Sequence, residues 1–190
     1  PGGGDKALRA IWQQEMINKN PTLDGKLISE SLVTSGLTHT ISMIAEMFID
    51  EGDEIVCPDL YWDNYQLIFE DLAGGTLKHF RFFTENGNFN VDGMKEALLS
   101  TKGDAARIIL NFPNNPTGYT PSREDAAAIV KALKEVADQK KIMVISDDAY
   151  FGLFFEGETE RESLFAYLAD AHENIFAIKG DAATKEEMVW

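Results

Sequence analysis

An apolar run, Arg107-Ile-Ile-Leu-Asn111, opens directly into Phe112-Pro-Asn-Asn-Pro-Thr-Gly118, and a helix-length further on Met143-Val-Ile-Ser146 opens into Asp147-Asp-Ala-Tyr150. Aliphatic runs that stop abruptly at polar residues read as strands of a parallel sheet buried on both faces. In open sheets of that kind, ligands sit in the crevice beyond the carboxyl ends of the strands. These two ends carry an amide, a carboxylate and a phenol in Asn115, Asp147 and Tyr150. Together they suit an aromatic nitrogen heterocycle that bears a hydroxyl.

The rest of the chain repeats the alternation. Asp5 is placed to cap a first helix with Leu8, Ile11, Trp12 and Met16 along one stripe. Residues 18–25 are rich in turn formers. Ser31-Leu-Val-Thr34 reads as a short strand that meets Gly36, after which Ile41, Ile44, Ala45 and Phe48 recur at helical spacing. Glu54-Ile-Val-Cys57 is the next strand, followed by a helix over 64–72 that Gly74-Gly75 closes. Residues 77–83 read as an exposed or edge strand, and 91–99 as a helix. Thr120 before Pro121 predicts a helix cap, with Ala126, Ile129, Val130, Leu133 and Val136 turned inward. Ile142-Met-Val-Ile145 and Ile175-Phe-Ala-Ile178 complete the strands. Such alternation predicts an α/β fold with a mainly parallel sheet and helices on both faces, a three-layer α/β/α arrangement.

The chain's 190 residues, 44% of them hydrophobic, suffice for one sizeable core and argue against a second full domain. A formal charge of −15 opposes nucleic acid and anionic membranes as partners. It leaves room for a phosphorylated cofactor, because backbone amides and a few local cations can hold phosphate. The single Cys57 excludes an internal disulfide framework and suits a reducing compartment. No apolar run reaches membrane-spanning length and no basic-then-apolar leader is seen, so the expectation is a soluble, cytoplasmic protein. Pro1 at one end and Trp190 just beyond Thr184-Lys-Glu-Glu187 at the other read as the ends of an excerpt from a longer protein.

Each candidate site residue also has a plainer reading. Asp147, taken alone, is a helix cap or a loop acid. Asn115 sits in a good β-turn sequence, although the whole Pro-Asn-Asn-Pro-Thr-Gly string behind a buried strand is far more specific. Gly36, Leu37 and Thr38 form a strand-to-helix turn whose amides make an anion site, as many such turns do. Trp62, in Asp59-Leu-Tyr-Trp-Asp-Asn-Tyr65, reads either as a core aromatic or as a stacking platform. Lys185 lies in a charged run that by itself reads as solvated.

Taken in order, a glycine turn, an aromatic, Asn-Pro-Thr-Gly, Asp-x-Ala-Tyr and a lysine resemble the large domain of the class I/II, fold type I, pyridoxal-phosphate-dependent aminotransferases. The resemblance spans nearly the whole chain, which it marks as an incomplete large domain over residues 1–190, without the small domain. It implies pyridoxal 5'-phosphate as cofactor, with Asp147 on the pyridine nitrogen, Asn115 and Tyr150 on the ring oxygen, and Trp62 stacked on the ring. Gly36, Leu37 and Thr38 would hold the phosphate, and Lys185 would form the Schiff base, with Lys179 as a lower-ranked substitute. It also implies amino acid and 2-oxo acid substrates and a homodimer. Ala182 stands where the family often carries a phosphate-touching serine. The family's phosphate-binding and carboxylate-gripping arginines are not found in the chain, and the expectation is that 190 residues alone do not turn over substrate. Other pyridoxal-phosphate reactions, elimination or decarboxylation, begin in the same pocket; transamination is preferred on the resemblance alone.

Two rival readings come from other classes. Met143-Val-Ile-Ser-Asp-Asp148 is similar to a strand ending in the paired acids of a metal-dependent phosphoryl enzyme, but no Gly-x-x-x-x-Gly-Lys-Ser/Thr loop occurs. No Gly-x-Gly-x-x-Gly follows a strand, and His39, His79 and His172 lack metal spacing, so no metal is expected. The second rival is a non-catalytic scaffold that keeps the fold for binding or assembly.

Overall fold

In the computed structural model, which describes residues 2–155 and 157–188, five strands form one sheet: β1 Glu54–Pro58, β2 Thr76–Phe80, β3 Ala105–Asn111, β4 Lys141–Asp147 and β5 Ile175–Gly180. Their order is β2-β1-β3-β4-β5 and every pairing is parallel. β2 is therefore an edge strand, in keeping with its mixture of charged and apolar residues. Register brings three strand ends level, because Asn111 pairs with Asp147 and Asp147 pairs with Gly180.

Side-chain parity sorts the strands' residues between two layers. Ile55, Cys57, Ile109, Met143 and Ile145 pack with α2 (Leu37–Phe48) and with a wide π-type helix, Gln66–Leu72. Val56, Ile108, Leu110, Ile142 and Val144 pack on the other face, against α3 (Val91–Leu99), α4 (Arg123–Ala137) and α5 (Leu164–Leu168). The expected three layers are thus present. α4 is fixed locally by a capping box between Ser122 and Asp125, worth about 1 kcal/mol. Its inward Ile129, Leu133 and Val136 are wholly buried, each stabilising by roughly 1.5–3 kcal/mol.

Two sequence expectations need correction. Among the described residues Ser31–Thr34 joins no strand; its backbone is held by single bonds instead, the Val33 amide donating to the Gly3 carbonyl at 3.2 Å and Arg9 Nε donating to the Ser31 carbonyl, and Leu32 and Val33 are exposed. The cap of α4 is Ser122 rather than Thr120, because a serine side chain can accept from the amide three residues on while Pro121 leads the chain in. The first helix is present as α1 (Lys6–Lys19), and Asp5 caps it by accepting from the Leu8 amide; no residue of the helix is buried, and Leu8 and Ile11 face solvent. The helix over 64–72 is present as expected, and from Gln66 to Leu72 it takes the wider π geometry that puts Ile68 and Phe69 in the core. Among the described residues no helix is long and apolar enough to cross a membrane.

Candidate active site

The carboxyl ends of β3, β4 and β5 and the first turn of α2 enclose an open cleft of about 400 Å³. Every sequence candidate lines it: Gly36, Leu37, Thr38, Trp62, Asn115, Asp147, Tyr150 and Lys185. Asn111, Ala149, Ala182 and Thr184 complete the wall.

Asp147, the last residue of β4, is 2% exposed. The Tyr65 hydroxyl donates to its Oδ2 and the Ala149 amide donates to its Oδ1 at 3.1 Å. Burial pushes its carboxyl up to about 6, against the pull of the Tyr65 and Ala149 hydrogen bonds. Asp148 adds to the rise, and Lys179 opposes it. The same burial, with Asp147 beside it, holds the Tyr65 phenol far above its usual range, so it is a permanent donor.

Asn111 carries the loop after β3 onto this carboxylate. Its Nδ2 donates to the Asp147 carbonyl at 2.8 Å, and its Oδ1 accepts from the Asn115 amide at 2.7 Å. The loop is then closed on itself. The Asn114 amide donates to the Tyr119 carbonyl at 2.9 Å, and the Gly118 amide to the Asn114 carbonyl at 2.7 Å. The Thr117 hydroxyl donates to Asn114 Oδ1, also at 2.7 Å. Gly118 takes a φ of +72°, which other residues rarely adopt. The Phe112–Pro113 and Asn115–Pro116 bonds are both cis. Tyr119 anchors the loop's far end among Phe82, Phe83, Phe89 and Phe112, and its hydroxyl donates to Asp125 at 2.9 Å.

The second wall is the start of α2. Gly36 has a φ of +93°, a Cβ there would meet nothing within 4 Å, and no side chain from this position caps the helix. The first-turn amides of a 12-residue helix therefore border the cleft in an open setting that favours an anion. Gly180 on β5 explains how α2 comes so close: a Cβ there would lie 2.9 Å from Leu37 Cδ1.

Trp62 is half-buried and meets Tyr65 edge to face, with ring centroids 5.7 Å apart. Tyr61 is turned away and stacks on His79 at 4.9 Å. Lys185 rises from α6 (Ala183–Glu186), its Nζ 5.8 Å from the centre of the Tyr150 ring. Lys179 lies elsewhere: its side chain is 4% exposed and paired with Asp148 and Asp181. Asp148 likewise turns from the cleft, so the two consecutive acids do not converge as a phosphoryl-metal site requires.

Sequence reasoning passed over Asn111 and Tyr65. Asn111 was marked by its place at the end of a strand level with Asp147. Tyr65 carried no such mark, since an aromatic beside Trp62 reads equally well as core.

The chain matches the family Aminotransferase class I and II over residues 5–180. It is 30% identical over 159 residues to an aspartate aminotransferase of a Bacillus species (strain YM-2), covering 83% of this chain and 38% of that protein. The aspartate aminotransferase of Geobacillus stearothermophilus is 31% identical over 163 residues, with the same coverage of both proteins. Among solved structures, an aminotransferase from Anaerococcus prevotii superposes with a TM-score of 0.80 at 33% identity, over 96% of this chain and 45% of that one. A mutant aspartate aminotransferase of Thermus thermophilus gives 0.74 at 25% identity, over 95% and 46%. The chain thus spans less than half the length of these relatives. With this sequence match running alongside the shared sheet, the chain belongs to the class I and II aminotransferase family.

Proposed function

We propose that residues 1–190 are part of the cofactor-binding large domain of a pyridoxal-phosphate-dependent aminotransferase, whose complete form transfers an amino group between an amino acid and a 2-oxo acid. The observation that carries this reading is the convergence of Asp147, Asn115, Tyr150, Trp62, Lys185 and the α2 N-terminus on one cleft. The complete protein is read as a cytoplasmic homodimer, with a small domain of its own.

The residues present fit pyridoxal 5'-phosphate. Its phosphate suits the open first turn of α2 at Gly36, Leu37 and Thr38, where the absent Cβ leaves space. Its ring nitrogen suits the buried Asp147 carboxylate, which neutral donors hold in the cleft's polar floor. When bound, the cofactor supplies an electron-withdrawing ring that stabilises negative charge developing at the substrate α-carbon. Asp147 would keep the ring nitrogen protonated, and its own position is held by the Tyr65 hydroxyl and the Ala149 amide. Asn115 Nδ2 and the Tyr150 hydroxyl would donate to the ring oxygen, and Trp62 would cover a ring face and exclude water. Lys185 Nζ would be the group that attaches the cofactor, and as a free amine it could hold or move a proton at the substrate α-carbon.

The test uses the full-length protein with the cofactor, 2-oxoglutarate and aspartate, chosen because relatives are named aspartate aminotransferases. Glutamate that forms only when an amino donor is present supports the reading. Magnesium-dependent nucleotide binding without amino transfer would contradict it.

A further inference from the structure

Behind the cleft, on the α4–α5 face of the sheet, β4 and β5 end in a second polar cluster. Lys179 Nζ lies 3.0 Å from Asp148 Oδ2 and also pairs with Asp181. The three side chains are 4%, 5% and 14% exposed. The ammonium sits 5.0 Å from the centre of the Phe151 ring. Asp181 also accepts from Trp12 Nε1 at 2.9 Å, which brings α1 into the cluster.

Stability alone is a poor account of this arrangement. Removing three charges from water costs several kcal/mol per ion, and packed apolar residues often do as well or better. One cation also faces two anions. What distinguishes the cluster is the pair of segments it joins. Asp148 directly follows Asp147, on the opposite face of the same strand end. Asp181 opens the short turn that leads from β5 into α6 and Lys185. Backbone pairing continues just this far, with the Asp148 amide donating to the Gly180 carbonyl at 2.8 Å, and α6 itself has only four residues. Beyond Gly180 the turn lacks a ladder to fix it.

We propose that Lys179 is a positioning residue whose ammonium pins the turn carrying Lys185 to the β4 exit carrying Asp147. Pairing with Asp148 anchors it to β4, and pairing with Asp181 extends that anchor to the turn. Trp12 holds Asp181 from the other side. The inference rests on the reading of Lys185 as the cofactor-attaching lysine. Lys179 touches neither cofactor nor substrate; it acts through the two acids.

Full-length protein is compared with Lys179→Met, Lys179→Arg and Asp181→Asn. Hydrogen exchange of the amides of 181–187 is measured without cofactor. Borohydride trapping of pyridoxal phosphate, with peptide mapping, then gives the rate of attachment at Lys185. Lys179→Met and Asp181→Asn should speed exchange in the turn about tenfold while leaving α3 and α4 unchanged. Attachment at Lys185 should slow by a similar factor, and Lys179→Arg should restore most of it. Should Lys179→Met not fold, Asp181→Asn carries the test, because it keeps the buried Lys179–Asp148 pair. Unchanged exchange in the turn of a folded variant would overturn the proposal, as would equal loosening of α3 and α4. If the turn responds as expected but the unaltered protein takes no label at Lys185, the functional reading fails and the anchor stands.

Discussion

Asp147 and Asp148 are neighbours in sequence, are 2% and 4% exposed, and keep opposite company. Asp147 faces the open cleft and is met by neutral donors, the Tyr65 hydroxyl and the Ala149 amide. Asp148 faces the closed rear of the sheet and is met by the Lys179 ammonium. Burial raises both carboxyls; on the rear face Lys179 is the chief opposing influence, on the cleft face Tyr65 is. The difference separates a carboxylate kept available for a charged ligand from one already neutralised by the protein. A cation inside the cleft at Asp147 would compete with a ring nitrogen; neutral donors hold the carboxylate without filling that place.

The contrast can be broken most severely at Asp147 itself. Asp147→Asn in the full-length protein keeps the shape and removes the charge proposed to hold the ring nitrogen protonated. The amino-transfer kcat should fall by about a hundredfold or more, measured by steady-state kinetics at saturating cofactor.

A second effect is thermodynamic. Asp147 titrates near 6 when folded, above the unfolded value of about 3.9, so the folded chain binds the extra proton. Stability from this group is therefore full below about pH 4 and is lost as pH rises through about 6. The loss is of the order of 2–3 kcal/mol. Urea unfolding of the unaltered protein and Asp147→Asn across that window isolates it, since other titrating groups are common to both. The variant should gain relative stability as pH rises; a constant difference would mean that Asp147 is not held at a raised pKa.

Tyr65→Phe sharpens the comparison by removing only the neutral donor. One buried carboxylate oxygen loses its partner, at a cost of about 1–3 kcal/mol, and the Asp147 midpoint moves further up. Carbon-detected titration of Asp147 measures this. Smallest is Ser122→Ala, on the rear face, which should cost about 1 kcal/mol in the unfolding free energy and leave the Asp147 titration unchanged.

Much of this was legible before any coordinates, for identifiable reasons. Strands buried on both faces announce themselves as apolar runs, so β3, β4 and β5 and the polar residues at their ends could be read directly. Parallel alternation then implied that those ends share one edge, which is where Asn115, Asp147 and Lys185 meet. Ser31–Thr34 misled because its composition suits a strand, while among the described residues no strand pairs with it. The stripe of Leu8 and Ile11 did mark the helix α1 but not its exposure: periodicity shows that a helix is amphipathic, not what covers it. Lys179 and Lys185 both looked able to reach the cleft. Strand parity settles it, since Lys179 pairs in register with Ser146, whose side chain belongs to the rear face, whereas Lys185 lies past the strand where parity no longer applies.

The most direct test of the central claim, that strand ends and α6 build a single cofactor pocket around Asp147, is chemical. Full-length protein loaded with pyridoxal phosphate is reduced with borohydride, digested and mapped by mass spectrometry. The account predicts one pyridoxyl-modified residue, Lys185. Label on Lys179 or another lysine, or an intact folded protein that takes none, would contradict it.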